Sequence, residues 1–146
     1  MPSDALHTVC PHCQAVNRVP PTRLGAAPTC GKCHRPLFEG KPAEADEDGF
    51  QKHLTRNDIP ILVDFWAPWC APCRTMAPEF VKAAAQLEPR VRLLKVDTEA
   101  EPALGARHNI RAIPTLALFR SGREVARQAG AMNAAGIVQW TRSHGA

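Results

Sequence analysis

From about residue 49 onward, apolar and polar positions alternate between helix-like and strand-like spacing. Phe50 and Leu54 sit four apart, as on one face of a short helix, ahead of Pro60 and the strand-like run from Ile61 to Trp66. Residues 72–88 predict a helix, kinked or bent at Pro78, because an interior proline lacks the amide donor and crowds the preceding turn. Val91 to Val96 is strand-like and Ala100 to His108 weakly helical. Thr115 to Phe119, Ser121-Gly122 and Glu124 to Gln128 predict strand, turn and strand, and Asn133 to Ser143 a closing helix. The pattern is mixed α/β with a C-terminal hairpin.

The first 40 residues differ. They are polar and interrupted by Pro11, Pro20, Pro21, Gly25, Pro28, Gly31 and Pro36, with too few large apolar side chains for a core, so they need outside support. Between the two regions, Glu39 to Asp48 carries five acids against Lys41 and reads as a solvated connection in which a short first strand could lie. We therefore divide the chain into a small segment, 1–40, and a larger α/β domain, 41–146.

A length of 146 residues with 45% hydrophobic content can bury a core. The net charge of +4 is too small to argue for a polyanionic partner, and nucleic acid is not implied. Met1 to Pro20 has no cationic start followed by an apolar stretch, and no run approaches the ~18 apolar residues of a membrane span. The expectation is a soluble, cytoplasmic protein with no membrane partner, and a monomer by default. In a reducing compartment, paired cysteines ligate metal or do redox chemistry more often than they staple a fold.

The six cysteines form three C-x-x-C pairs: Cys10 with Cys13, Cys30 with Cys33, and Cys70 with Cys73. Sixteen residues separate Cys13 from Cys30, the tetrathiolate spacing of a zinc ribbon. Each knuckle aims two sulfurs at one point, and four thiolates close the tetrahedral shell of Zn²⁺, leaving no position for water. Cys10, Cys13, Cys30 and Cys33 are thus the expected ligands of a structural zinc, with two local disulfides or free thiols, or His12 or His34 as substitute ligands, as alternatives. A nucleic-acid role for the ribbon has only Arg18, Arg23, Lys32, Arg35 and Phe38 to draw on.

The third pair lies directly after an apolar strand and directly before a helix, in Phe65-Trp66-Ala67-Pro68-Trp69-Cys70-Ala71-Pro72-Cys73. At a helix start, unpaired amides and the dipole favour an anion, so Cys70 is expected to ionise readily and act as nucleophile. Cys73, one turn on, is within disulfide reach at ~5 to 6 Å, and Pro72 suits the first turn. Small Ala71 is expected to leave Cys70 accessible. Asp64 is a carboxylate in an apolar strand, where desolvation would raise its pKa; the alternative is an aspartate touching solvent at the strand end. Trp66 and Trp140 are expected in the core.

Asp64-Phe65-Trp66-Ala67-x-Trp69-Cys70-x-Pro72-Cys73, followed by Ile113-Pro114-Thr115, resembles the thioredoxin family. With the tetracysteine segment, the whole chain resembles its zinc-ribbon-bearing branch, the thioredoxin 2 type. The resemblance implies a thioredoxin fold, a central mixed sheet flanked by helices, behind the small N-terminal ribbon. It implies that Asp64 assists deprotonation of Cys73 through water, and it matches Lys95 to a lysine near that aspartate. A snorkelling edge lysine is the alternative. It also implies a cis bond at Pro114, with Ile113 offering backbone to an extended substrate beside Trp69, Gly130 and Ala131.

The implied activity is protein disulfide reduction, with recharging by an NADPH-dependent, flavin-carrying thioredoxin reductase and no resident cofactor except zinc. Ala71 stands where typical members have glycine, which leaves the redox poise open. The rivals are a thiol oxidant or isomerase using the same cysteines, a ribbon-based recruitment module on a thioredoxin scaffold, and a ribbon that expels zinc on oxidation.

Overall fold

The computed structural model describes residues 5–146, so Met1–Asp4, the start of the segment read as 1–40 and of the stretch searched for a secretory signal, lie outside the described residues. Two strands open the chain, β1 (Leu6–Val9) and β2 (Val16–Val19), paired as an antiparallel hairpin. Then come β3 (Ala43–Glu44), α1 (Glu47–Arg56), β4 (Ile61–Trp66), α2 (Ala71–Leu87), β5 (Arg92–Asp97), α3 (Pro102–Arg107), β6 (Thr115–Arg120), β7 (Arg123–Ala129) and α4 (Ala134–Ser143).

β4 lies inside the five-stranded sheet, order β3-β5-β4-β6-β7, and five of its six residues are buried. Covered on both faces, it shows a continuous apolar run rather than alternation. It is parallel to β5 and antiparallel to β6. One face packs Leu62, Leu93, Leu116 and Leu118 against Met76, Phe80 and Leu87 of α2 and Ile137 and Val138 of α4. The other packs Ile61, Val63, Phe65, Leu94 and Phe119 against Phe50 and Leu54 of α1 and Leu104 of α3. The β6–β7 hairpin turns at Ser121 and Gly122, both at positive φ, as a tight two-residue connection requires.

The acidic connection is more ordered than its charge suggests. It contains β3, and Asp46 caps α1 by accepting from the Gly49 amide at 2.7 Å, so Glu47 and Asp48 begin a helix. α2 runs unbroken through Pro78. Trp66 and Trp140 are only partly buried, at the rim of the core rather than in it.

The ribbon packs its apolar residues around its own sulfurs: Val19, Leu37, Leu24 and Phe38 surround the four cysteines. Its two knuckles repeat one geometry. The amides of Gln14 and His34 bond back to the carbonyls of Cys10 and Cys30, and both residues take positive φ.

The outside support for this small segment is Arg92, the first residue of β5, which is only 1% exposed. Its Nη2 donates to Val9 O at 3.2 Å and Leu37 O at 2.7 Å, one on each side of the tetracysteine stretch. Nη1 donates to Glu88 Oε2 at 3.2 Å, and the guanidinium lies 4.4 Å over the Phe38 ring. The Val9 amide donates to Asn57 Oδ1 at 2.8 Å, and Asn57 is bonded to the buried His53 ring, which burial keeps neutral down to about 3. These anchors lie at the opposite end of β4 and β5 from Cys70.

Candidate redox centre and metal site

Cys70 is the N-cap of α2, in extended conformation, and its sulfur accepts from the Cys73 amide at 3.3 Å. Pro72 occupies the first turn, where its missing donor leaves nothing unpaired. The Cα atoms of Cys70 and Cys73 are 5.2 Å apart and the two sulfurs form a disulfide. Arg74 donates to Pro68 O at 2.9 Å, tying the preceding loop to the helix.

The disulfide sits in a small apolar nest of Ala67, Trp66 and Ile113, and Cys70 Sγ lies 3.7 Å from the Ile113 carbonyl. In this form Cys70 is 4% exposed, so a small residue at Ala71 does not open it; its cover comes from Ile113 and Trp66. The Ile113–Pro114 bond is cis. Trp69, 66% exposed, flanks the site, and Gly130, at φ +99°, donates its amide to Pro114 O at 2.9 Å, which brings Gly130 and Ala131 to the same edge.

Asp64 is fully buried, neither oxygen has a hydrogen-bond partner, and its neighbours along the face are Leu62 and Leu116. Burial pushes its carboxyl up to about 7; Lys95 works against this and Glu44 with it. The solvent-touching alternative is thereby removed. Lys95 pairs with Asp64 in register, yet its ammonium rests 4.3 Å over the Trp66 ring. Glu44 and Arg92 escaped sequence reasoning. A two-residue strand inside an acidic run and an arginine at a strand start carry no local sign of what they meet.

The second site is the sulfur cluster. The ligand atoms of Cys10, Cys13, Cys30 and Cys33 all lie within 4.8 Å of one another, with Cys10 to Cys33 at 3.7 Å and Cys13 to Cys30 at 3.6 Å. A tetrahedron with Zn–S of ~2.3 Å has edges of about 3.8 Å, so the cluster has the dimensions of a four-thiolate metal site. Amides of His12 and Cys13 point at Cys10 Sγ, and Lys32 N and Asn17 Nδ2 at Cys30 Sγ, donors suited to thiolates. Burial pushes the Cys10 thiol up to about 12, while the Cys33 amide and Asn17 bring Cys30 down to about 5. Four sulfurs packed this closely and partly buried can be thiolates together only beside a cation. His12 is engaged elsewhere, its Nε2 2.9 Å from Glu39, and His34 is outside the cluster. Among the described residues no helix is long and apolar enough to cross a membrane.

Residues 41–143 match the family described as Thioredoxin, and residues 9–35 the one described as Thioredoxin 2, N-terminal. Thioredoxin C-3 of Corynebacterium nephridii is 46% identical over 132 residues, 90% of each chain. Thioredoxin 1 of Nostoc sp. is 37% identical over 102 residues, 70% of this chain and 95% of the relative. Among solved structures, a thioredoxin of Malassezia sympodialis superposes with a TM-score of 0.66 at 28% identity, covering 75% of this chain and 95% of its own. The two family matches span the stretches that hold the four-sulfur ribbon and the capped dithiol on β4–α2, and the protein belongs to the thioredoxin family of protein disulfide oxidoreductases, in its ribbon-bearing form.

Proposed function

We propose that the chain reduces disulfides in other proteins through Cys70 and Cys73, while a zinc ion held by Cys10, Cys13, Cys30 and Cys33 serves its structure. The observation that carries this reading is the position of Cys70 as cap of α2, its sulfur accepting from the Cys73 amide. In the reduced protein that amide and the helix dipole favour a thiolate at Cys70. The thiolate attacks an exposed substrate disulfide, whose S–S bond breaks as one sulfur leaves and the other bonds to Cys70. Asp64, buried and poised near neutrality, takes the Cys73 proton through water. The Cys73 thiolate then attacks Cys70 Sγ, expels the second substrate sulfur and closes the disulfide. The substrate gains two electrons and two protons, and this chain loses them.

Trp69, Ile113, Gly130 and Ala131 border the docking edge, with the Ile113 backbone placed to pair with an extended segment. Pro114 holds that carbonyl at Cys70, and Lys95 biases the charge of Asp64. When bound, zinc neutralises the four thiolates and fixes both knuckles. We read residues 1–40 as the ribbon and 41–146 as the catalytic domain. The protein acts as a cytoplasmic monomer, where reducing conditions keep the ligand thiols available. It is recharged by an NADPH-dependent flavoprotein thioredoxin reductase.

Insulin-disulfide reduction tests the assignment. Cys70→Ser is expected to abolish turnover, and Cys73→Ser to accumulate a mixed disulfide with substrate. Unchanged turnover in either variant rejects it.

A further inference from the structure

Lys95 lies between two carboxylates. Its Cα pairs with Asp64 on β4 and with Glu44 on β3, so Glu44, Lys95 and Asp64 form one row across three strands. Ala43 and its partner Leu94 pack on the α1 side of the sheet, which places Glu44, one residue on, toward the α2 side with Lys95 and Asp64. Side chains directly opposite on neighbouring strands stand ~4.5 to 5.5 Å apart at Cβ, within reach of a lysine on either side.

The ends of the row differ. Asp64 is fully buried with both oxygens unpartnered, whereas Glu44 is exposed and lines two clefts. One cleft carries Gln14, Asp46, Asp97 and Glu101, and the other His12, Glu39, Lys41 and Arg92. The Lys95 ammonium, over the Trp66 ring, is within 4.0 Å of neither carboxylate among the described residues.

We propose that Glu44 is a positioning residue for proton transfer at Asp64: it competes for the Lys95 ammonium and sets a second negative charge across the row. Lys95 is thereby kept from locking Asp64 as a carboxylate, and Asp64 can still hold a proton near neutral pH. The inference rests on the reading that Asp64 takes the Cys73 proton. The charge effects agree in sign, since Glu44 raises the Asp64 carboxyl and Lys95 lowers it. Glu44, though an exposed residue, is itself raised, first by partial desolvation of its carboxyl between the two clefts, with Lys95 opposing and Asp97 adding. On this face β6 and α4 bring Leu116, Leu118, Ile137 and Val138; α2 brings the buried Cys73, which does not titrate while it is disulfide-bonded to Cys70, and the Glu44 end also meets Asp97 of β5.

The test follows the Asp64 carboxyl by carbon NMR titration of the oxidised full chain, and the pH profile of single-turnover insulin reduction by the reduced chain. Glu44→Gln is expected to lower the Asp64 midpoint by about 0.3 to 1 pH unit and to move the rate profile the same way. Glu44→Asp, which keeps the charge, is expected to restore most of both. Lys95→Met is expected to raise the midpoint. An Asp64 midpoint unmoved in a folded Glu44→Gln protein overturns the proposal, as does a moved midpoint with an unmoved rate profile. Failure of the underlying reading has its own signature: an Asp64→Asn variant with the wild-type pH profile.

Discussion

Asp64 concentrates the electrostatic cost of folding in one side chain. A carboxyl raised from 3.8 to about 7 on folding binds its proton more tightly in the native than in the unfolded state. Stability from this group is therefore greatest below the unfolded value and falls as pH rises from 3.8 through about 7. At 1.36 kcal/mol per unit the loss is at most about 4 kcal/mol. Asp64→Asn is expected to stabilise the oxidised protein by about 2 kcal/mol at pH 8.5 and by little at pH 4, read from urea unfolding at the two pH values. An equal change at both would refute the burial argument. The residue was legible in the sequence from its setting in Asp64-Phe65-Trp66. Its complete isolation was not, because that depends on Leu62 and Leu116 closing over it from two strands.

Among elements, the junction of α2 and β5 carries the heaviest polar load. Arg92 and Glu88 are both almost fully buried; burial holds the Arg92 guanidinium below its ordinary value and the Glu88 carboxyl above its own. Gly40 N also donates to Glu88, at 2.9 Å, so the pair ties the end of the ribbon segment to the end of α2. Arg92→Met would leave a buried carboxylate without its cation and the carbonyls of Val9 and Leu37 without donors. The expected cost is about 3 to 5 kcal/mol, measured by chemical denaturation. Arg92→Lys should recover little, since an ammonium cannot reach both carbonyls and Glu88 with the geometry of a planar fork. A loss below about 1 kcal/mol in Arg92→Met would show the clamp to be dispensable. Strand and helix types here were readable from periodicity: β4 and β6 start where expected and α4 begins after its cap, Asn133. A short strand was expected in the acidic stretch and β3 lies there, but its two-residue length and partner and the acidic first turn of α1 were not readable. β3 owes its existence to pairing with β5, and the turn to its cap.

At the scale of the molecule, the ribbon is docked, and its docking is built on carbonyls at both sides of the sulfur cluster. Removing the metal with a chelator is expected to expose the 20–28 loop to limited proteolysis while residues 41–146 stay protected and retain disulfide reduction. Equal resistance of the two regions after metal removal would mean that Arg92 and Asn57 hold the ribbon without it. What the sequence determined alone was chemistry fixed by chain geometry over a few residues: Cys70 and Cys73 one helical turn apart at a helix start, and two knuckles each offering a sulfur pair. These follow from bond lengths and helical rise, whatever surrounds them. The tertiary structure alone decided the rest. Strand register set Glu44, Lys95 and Asp64 in a row, the approach of Ile113 covered Cys70, and burial of Arg92 joined the ribbon to the sheet, because such meetings depend on which strands pair and in what phase.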